Sequence, residues 1–218
     1  MTAVIFDLDG TLIDSAPDIH AAVARMLADE GAAPLSFAAV RGFIGNGVPV
    51  LIDRVMAARG DAADATRRAD LIARFLRHYE AASSDLTTLY PGVRDALIAL
   101  RDAGHPMGLC TNKPESAARD ILKAFDLMSF FQVVIGGDSL PDRKPHPEPL
   151  WATLRQLGTA TAVYVGDSEV DVDTAAAAGI PLLLFTEGYR KTAVTELHHH
   201  ASFADFAALP GLVAALSG

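Results

Sequence analysis

The chain has 218 residues, half of them hydrophobic, with a formal net charge of -9 and a sequence pI near 5.1. It is long enough for one large domain or a domain carrying an insertion, with apolar side chains for a real core. The acidic balance excludes a basic nucleic-acid footprint, no apolar run is long enough to span a bilayer, and no secretory leader pattern opens the chain, so a cytoplasmic protein is expected.

Ala3 to Phe6 are strand formers and read as a buried strand that ends at Asp7-Leu8-Asp9-Gly10-Thr11. Two carboxylates at i and i+2 at the mouth of an apolar core repel each other, and a divalent cation is the simplest remedy. Gly10 permits the sharp turn, and Thr11 offers a hydroxyl for capping or ligand contact. Asp14-Ser15-Ala16-Pro17 follows as a short hinge with Ser15 as N-cap and Pro17 in the first helical turn. Ile19, Val23, Met26 and Leu27 keep one helical face apolar until Gly31. Ser36 opens a short helix through Val40, interrupted at Gly42 to Gly47, and two more helices follow, marked by Leu51, Ile52 and Val55 and by Leu71, Phe75 and Tyr79. Residues 14–85 thus form a helical insert, expected to act as a cap domain, with no confident strand.

From Tyr90 the pattern alternates. Strands are expected at Met107 to Cys110, Val133 to Ile135, Ala162 to Val165 and Pro181 to Phe185, with helices between them and an alanine-rich helix over Thr174 to Ala178. His198 to His200 read as an exposed polar turn, followed by packing residues Phe203, Phe206, Leu209 and Leu212. The sole cysteine, Cys110, reads as a strand filler. Alternation of this kind predicts an α/β fold, a doubly wound parallel sheet whose core is residues 1–13 and 86–218.

In such sheets ligands bind beyond the carboxyl ends of the strands. Asp7 and Asp9 follow the first strand, Thr111 and Asn112 the second, Lys144 the third, and Asp167 and Asp171 the fourth. Each alone is explained by a helix cap or a solvated lysine. Together they offer a metal platform, donors for phosphate oxygens and a fixed cation, the needs of phosphoryl transfer.

Asp7-x-Asp9-Gly10-Thr11, Thr111-Asn112, Lys144 and Gly166-Asp167-x-x-x-Asp171, in that order, resemble the four motifs of the haloacid dehalogenase superfamily, with its Rossmann-like core and inserted helical cap. Gly10 to Asp18, Arg41 to Gly47, Tyr90-Pro91-Gly92 and Thr111 to Pro114 are similar to its phosphoglycolate phosphatase group. The resemblance implies a magnesium-dependent phosphatase with Asp7 as nucleophile and Asp9 as general acid and base. Mg2+ would be held by a carboxylate oxygen of Asp7, the backbone carbonyl of Asp9, and Asp167, with Asp171 in the outer shell. It also implies that Thr111 and the Asn112 backbone hold phosphate oxygens, and that Lys144 stabilises the transition state and keeps Asp7 ionised.

Substrate contacts are expected from Gly10, Lys113 and a cap set of Arg41, Gly45, Asn46 and Gly47, with a positive field around Lys113, Lys144 and Arg41 to draw in a small phosphorylated metabolite such as 2-phosphoglycolate. No nucleic acid, membrane or obligatory protein partner is expected. Asp9 speaks against dehalogenation, since an alkoxide leaving group needs an acid and a halide does not. A pyrophosphatase, a hexose-phosphate mutase, a receiver-like phospho-acceptor and a silent binding protein stay open as alternatives.

Overall fold

A computed structural model describes residues 1–61 and 64–216; residues 62–63 of the expected insert and 217–218 of the expected core lie outside the described residues. The chain opens with β1 (Ala3–Phe6) and β2 (Ile13–Asp14), then runs through α1 (Ala16–Ala28), α2 (Phe37–Arg41), α3 (Val48–Ala58) and α4 (Ala65–Glu80). There follow β3 (Thr88–Leu89), α5 (Val93–Asp102), β4 (Met107–Cys110), α6 (Glu115–Ala124), β5 (Val133–Ile135) and α7 (Glu148–Leu157). The chain closes with β6 (Ala162–Gly166), α8 (Glu169–Ala178), β7 (Leu182–Phe185), β8 (Ala201–Phe203) and α9 (Leu209–Leu216). It divides into two compact units, Met1–Asp14 with Leu89–Gly218, and Ser15–Thr88.

The first unit is built on a six-stranded sheet in the order β5-β4-β1-β6-β7-β8, with every pairing parallel. Strand alternation sends Val4, Phe6, Leu109, Val163 and Val165 to one face, where α5, α6 and α9 bury Leu97, Ile121 and Val213 against them. Ala3, Ile5, Cys110, Tyr164 and Leu184 face the other way, under Leu150 of α7 and Val172 of α8. Because both faces are covered, β1, β4, β5, β6 and β7 are buried throughout and show no polar alternation. Each fully buried Leu, Ile or Phe contributes roughly 1.5–3 kcal/mol. Gly108 in β4 has a packing reason as well: a Cβ there would meet Thr153 at 2.6 Å and Leu157 at 3.1 Å.

Beside the short strands β2 and β3, which were not predicted, two elements of the first unit differ from expectation. A sixth strand, β8, pairs with β7 and sets Phe203 5.4 Å from Phe185, ring to ring. Its three residues are too few to carry a period. Just before it, the exposed His200 donates its backbone N–H to Leu182 O (2.9 Å) and accepts from Leu182 N at its ring nitrogen (3.3 Å), so the histidine stretch is partly tied to the sheet. The helix expected from Thr174 begins at Glu169, which places Asp171 in its first turn and not in a loop. Acidic side chains suit that end of a helix.

The chain leaves β1 for β4 and β5 on one side, then returns to β6 on the other, so the order reverses between β1 and β6. A crevice outside the strand ends belongs there.

In the Ser15–Thr88 unit, α4 packs on α1 and α3 through Leu71, Phe75 and Tyr79, whose last two rings stack at 5.6 Å. Asp18, buried in α1, accepts hydrogen bonds from Leu86 N, Thr87 N (2.7 Å) and Thr87 Oγ1 (2.6 Å), so the last residues of the unit are fastened to its first helix. Arg54 holds the turn before α3, donating to Phe43 O (2.7 Å) and Asn46 Oδ1 (2.8 Å).

Candidate active site

β1 delivers Asp7 to the strand-order reversal, and its amide continues the ladder by donating to Val165 O at 2.9 Å. Gly10 turns the chain with φ of 88°, and a Cβ there would lie 2.5 Å from Asp167 Oδ2. Gly188, beyond β7, is pressed against the same carboxylate and against Gly10 O. Only glycine lets both segments close on Asp167. Thr11 Oγ1 donates to Asp167 Oδ1 at 2.8 Å, and the Tyr189 amide donates to Oδ2 at 2.6 Å.

Asp171 is more fully occupied. Its Oδ1 receives Lys144 Nζ at 2.7 Å and Tyr164 OH at 2.8 Å; its Oδ2 receives the amides of Asp167 and Ser168, both at 3.1 Å, and Ser168 Oγ at 2.8 Å. Lys144 Nζ also donates to Tyr164 OH at 2.7 Å and lies 3.0 Å from Asp7 Oδ1. That last contact is an ion pair without hydrogen-bond geometry, and Asp7 Oδ1 is a buried oxygen that accepts no hydrogen bond. Asn112 Nδ2 donates to Lys144 O at 3.0 Å, joining the turn after β4 to the lysine segment.

The electrostatics follow from burial. Desolvation pushes Asp7 up to about 6; Lys144 pulls the other way, and Asp171 and Asp9 add to the rise. Lys144 was expected to keep Asp7 ionised; its charge does lower Asp7, against the larger and opposite effect of burial. Burial, then Asp171 and Asp7, raise Asp167 well above the carboxylate range. For Asp171 burial is the largest influence and opposes ionisation, yet the Lys144 charge and the hydrogen bonds from Lys144, Tyr164 and Ser168 overcome it and hold the group low. Burial likewise opposes the charge on Lys144, and the carboxylates of Asp171 and Asp7 more than compensate.

One oxygen from each of Asp7, Asp167 and Asp171 lies within 4.8 Å of the others. These donors fit a hard divalent cation. All are carboxylates; among the described residues Asp7 Oδ1 accepts no hydrogen bond and each Asp167 oxygen takes one donor, whereas both Asp171 oxygens are already filled by donors, which suits that group to support the other two. The Cys110 thiol, pushed up to about 12 by burial, is not part of this group.

The structure brings Asp7, Asp9, Gly10, Thr111, Asn112, Lys113, Lys144, Asp167 and Asp171 together in the first unit. Asp9 lies outside the three-carboxylate group, and its oxygens pair with Lys113 Nζ at 2.8 and 3.2 Å. Lys113, expected as a substrate contact, is thus paired with a neighbouring carboxylate. Of the residues expected to set up a positive field, Lys113 is paired with Asp9, and Lys144 with Asp7 and Asp171. Arg41, Gly45, Asn46 and Gly47 lie in the Ser15–Thr88 unit, Arg41 closing α2 and Gly47 capping α3 with φ of 83°. The sequence reading passed over Tyr164, Gly188 and Tyr189. A tyrosine inside an otherwise apolar strand, and a glycine just beyond the last predicted strand, were the available signals.

Residues 4–185 match the model of the haloacid dehalogenase-like hydrolases. The chain belongs to that family. Its relatives include the phosphoglycolate phosphatase of Cereibacter sphaeroides, 57% identical over 98% of both chains, and that of Rhodobacter capsulatus, 46% identical over 97% of this hydrolase and 96% of the relative. A solved structure described as a predicted phosphoglycolate phosphatase from Haemophilus somnus superposes with a TM-score of 0.91 at 30% identity, covering 98% of each chain. This hydrolase is thus a phosphatase-type enzyme resembling those proteins. Among its described residues no helix is long and apolar enough to cross a membrane.

Proposed function

We propose that this hydrolase cleaves small phosphomonoesters through an aspartyl phosphate on Asp7, with 2-phosphoglycolate as its preferred substrate, in the cytoplasm. The observation that carries the proposal is Asp7 itself: a buried carboxylate at the strand-order reversal whose Oδ1 accepts no hydrogen bond while a buried lysine stands 3.0 Å away. A nucleophile needs such an unoccupied lone pair.

Asp7 attacks phosphorus, the bond from phosphorus to the ester oxygen breaks, and Asp9, carrying the proton it took from water in the preceding turnover, gives that proton to the ester oxygen. Water then loses a proton to Asp9 and attacks the same phosphorus; the bond to Asp7 breaks, freeing phosphate and restoring Asp7. Lys144, fixed by Asp171 and Tyr164, offsets charge on the transferring group. Thr111 and Asn112 bind phosphate oxygens from the turn after β4. Asp7, Asp167 and the Asp9 carbonyl would hold Mg2+, with Asp171 orienting them from behind; the ion supplies neutralising charge between nucleophile and phosphate. The Ser15–Thr88 unit serves as the cap, and Arg41 with the Gly45-Asn46-Gly47 turn reads the carboxylate end of the substrate. The substrate assignment is supported by the names of the curated relatives.

The test is phosphate release from 2-phosphoglycolate, glucose 1-phosphate, β-glucose 1,6-bisphosphate, pyrophosphate and nucleoside monophosphates, with and without Mg2+, beside Asp7→Asn. The expected result is the highest kcat/KM on 2-phosphoglycolate, lost with the substitution or with EDTA. A much higher kcat/KM on another member overturns the substrate, and undiminished turnover by Asp7→Asn overturns the mechanism.

A further inference from the structure

Lys113 is nearly buried, its side chain 3% exposed, and its ammonium holds both oxygens of Asp9. Its backbone is fixed on both sides: the amide donates to Thr111 Oγ1 at 3.3 Å, and the carbonyl accepts from Gly137 N at 2.8 Å. The same turn therefore sets the phosphate-binding threonine and the origin of the lysine side chain.

Asp9 stands two positions after Asp7, next to three carboxylates arranged for a divalent cation. Such ions take six or more oxygens, and a further carboxylate that swung into the group would be drawn in as a ligand. A carboxylate recruited that way is lost for proton transfer. Turning Asp9 toward the cluster would break two charge-assisted contacts to an ammonium that little water can reach.

We propose that Lys113 is a positioning residue: by clamping both oxygens of Asp9 it keeps that carboxylate out of the Asp7–Asp167–Asp171 cluster and available to the ester oxygen. The inference rests on Asp9 being the acid and base of the proposed reaction, and it gives Lys113 a role other than reading the substrate.

A double-mutant cycle of Lys113→Met and Asp9→Asn tests it, assayed on 2-phosphoglycolate and on ethyl phosphate, which lacks the carboxylate. Mg2+ affinity is measured by calorimetry without substrate, and melting curves follow folding. Lys113→Met is expected to lower kcat about 30-fold on both substrates, part of the 10²–10⁴ that a placed acid supplies. KM should stay within about threefold and Mg2+ affinity unchanged or tighter, with no further loss when the substitution is added to Asp9→Asn. Lys113→Arg, which can grip both oxygens, should recover most of the activity. Should the methionine variant not fold, Lys113→Gln takes its place in the same cycle.

A KM rise confined to 2-phosphoglycolate overturns the inference in favour of a substrate-reading lysine. Losses that add in the cycle, or Mg2+ affinity that falls along with the melting temperature, overturn it in favour of a purely structural one. Asp9→Asn with undiminished kcat overturns the acid-base role and the inference with it, whereas an inactive Asp9→Asn beside a fully active Lys113→Met overturns the inference alone.

Discussion

Each of the two units buries an aspartate, and the two are treated in opposite ways. Asp18, in the helical unit, sits 2% exposed under two backbone amides and a threonine hydroxyl. Asp7, at the head of the sheet, is 7% exposed, and its Oδ1 accepts no hydrogen bond. Burial is the same, yet one carboxylate is saturated by donors and the other is left with unused lone pairs. The saturated group closes a loop of chain, and the unsaturated one is kept for a cation and a phosphorus atom.

The largest break in this comparison is Asp7→Asn. Turnover should fall by roughly four orders of magnitude or more, as when a nucleophile is removed elsewhere. Stability should move the opposite way in metal-free protein. The ordinary value of 3.8 rises to about 6 in the fold, so between those values the folded state keeps a proton that the unfolded chain has lost. Stability therefore declines as pH rises through that window and stays lowered above it, by about 3 kcal/mol for Asp7 alone. Asp167, also raised, adds to the decline. Urea unfolding in EDTA from pH 4 to 8 should show a shallower decline for the variant than for wild type, and added Mg2+ should reverse the wild-type decline. Identical slopes would mean that Asp7 is not strained by burial.

Asp18→Asn attacks the other side. The amide keeps one acceptor oxygen but presents an NH2 where three donors converge, so about 2–3 kcal/mol should be lost, measured by urea unfolding. Turnover per folded molecule should hardly change. A fall in kcat with unaltered stability would show that the fastening is part of the reaction and not only of the fold.

The contrast also explains what the sequence disclosed. Asp7, Thr111 and Asp167 each follow directly on an apolar strand, so strand periodicity carried them to the carboxyl ends of the sheet, whereas Lys144 lies in the loop after β5 and was placed by its motif. Lys113 lay among them in sequence, but nothing in a chain order tells whether an ammonium points at a substrate or at the carboxylate of Asp9, 104 positions earlier. Gly188 and Tyr189 were hidden for a related reason: their contact with Asp167 is made by a backbone amide and by the absence of a Cβ, neither of which has a sequence period. Strand β8 escaped because three residues on a sheet edge draw their order from β7. In the helical unit the apolar faces of α1 and α4 were plain, whereas the use of Arg54 to grip Asn46 depends on a turn whose geometry only the fold defines.

The smallest effect is expected at Tyr164, where the two treatments meet. Its hydroxyl accepts from Lys144, which reaches toward the unsaturated Asp7, and donates to the saturated Asp171. Tyr164→Phe preserves the ring beneath the lysine and removes only the oxygen. Asp171 retains four donors and Lys144 retains both carboxylates, so neither charge is stranded. The expected cost is about 1 kcal/mol of stability and about a tenfold drop in kcat, with KM for the substrate unchanged, because the ammonium loses one of its guides but not its partners. A drop beyond about a thousandfold would place the hydroxyl in the chemistry itself. An unchanged kcat would mean that Asp171 alone suffices to aim Lys144 at Asp7, so the saturated carboxylate would be the sole support of the reactive one.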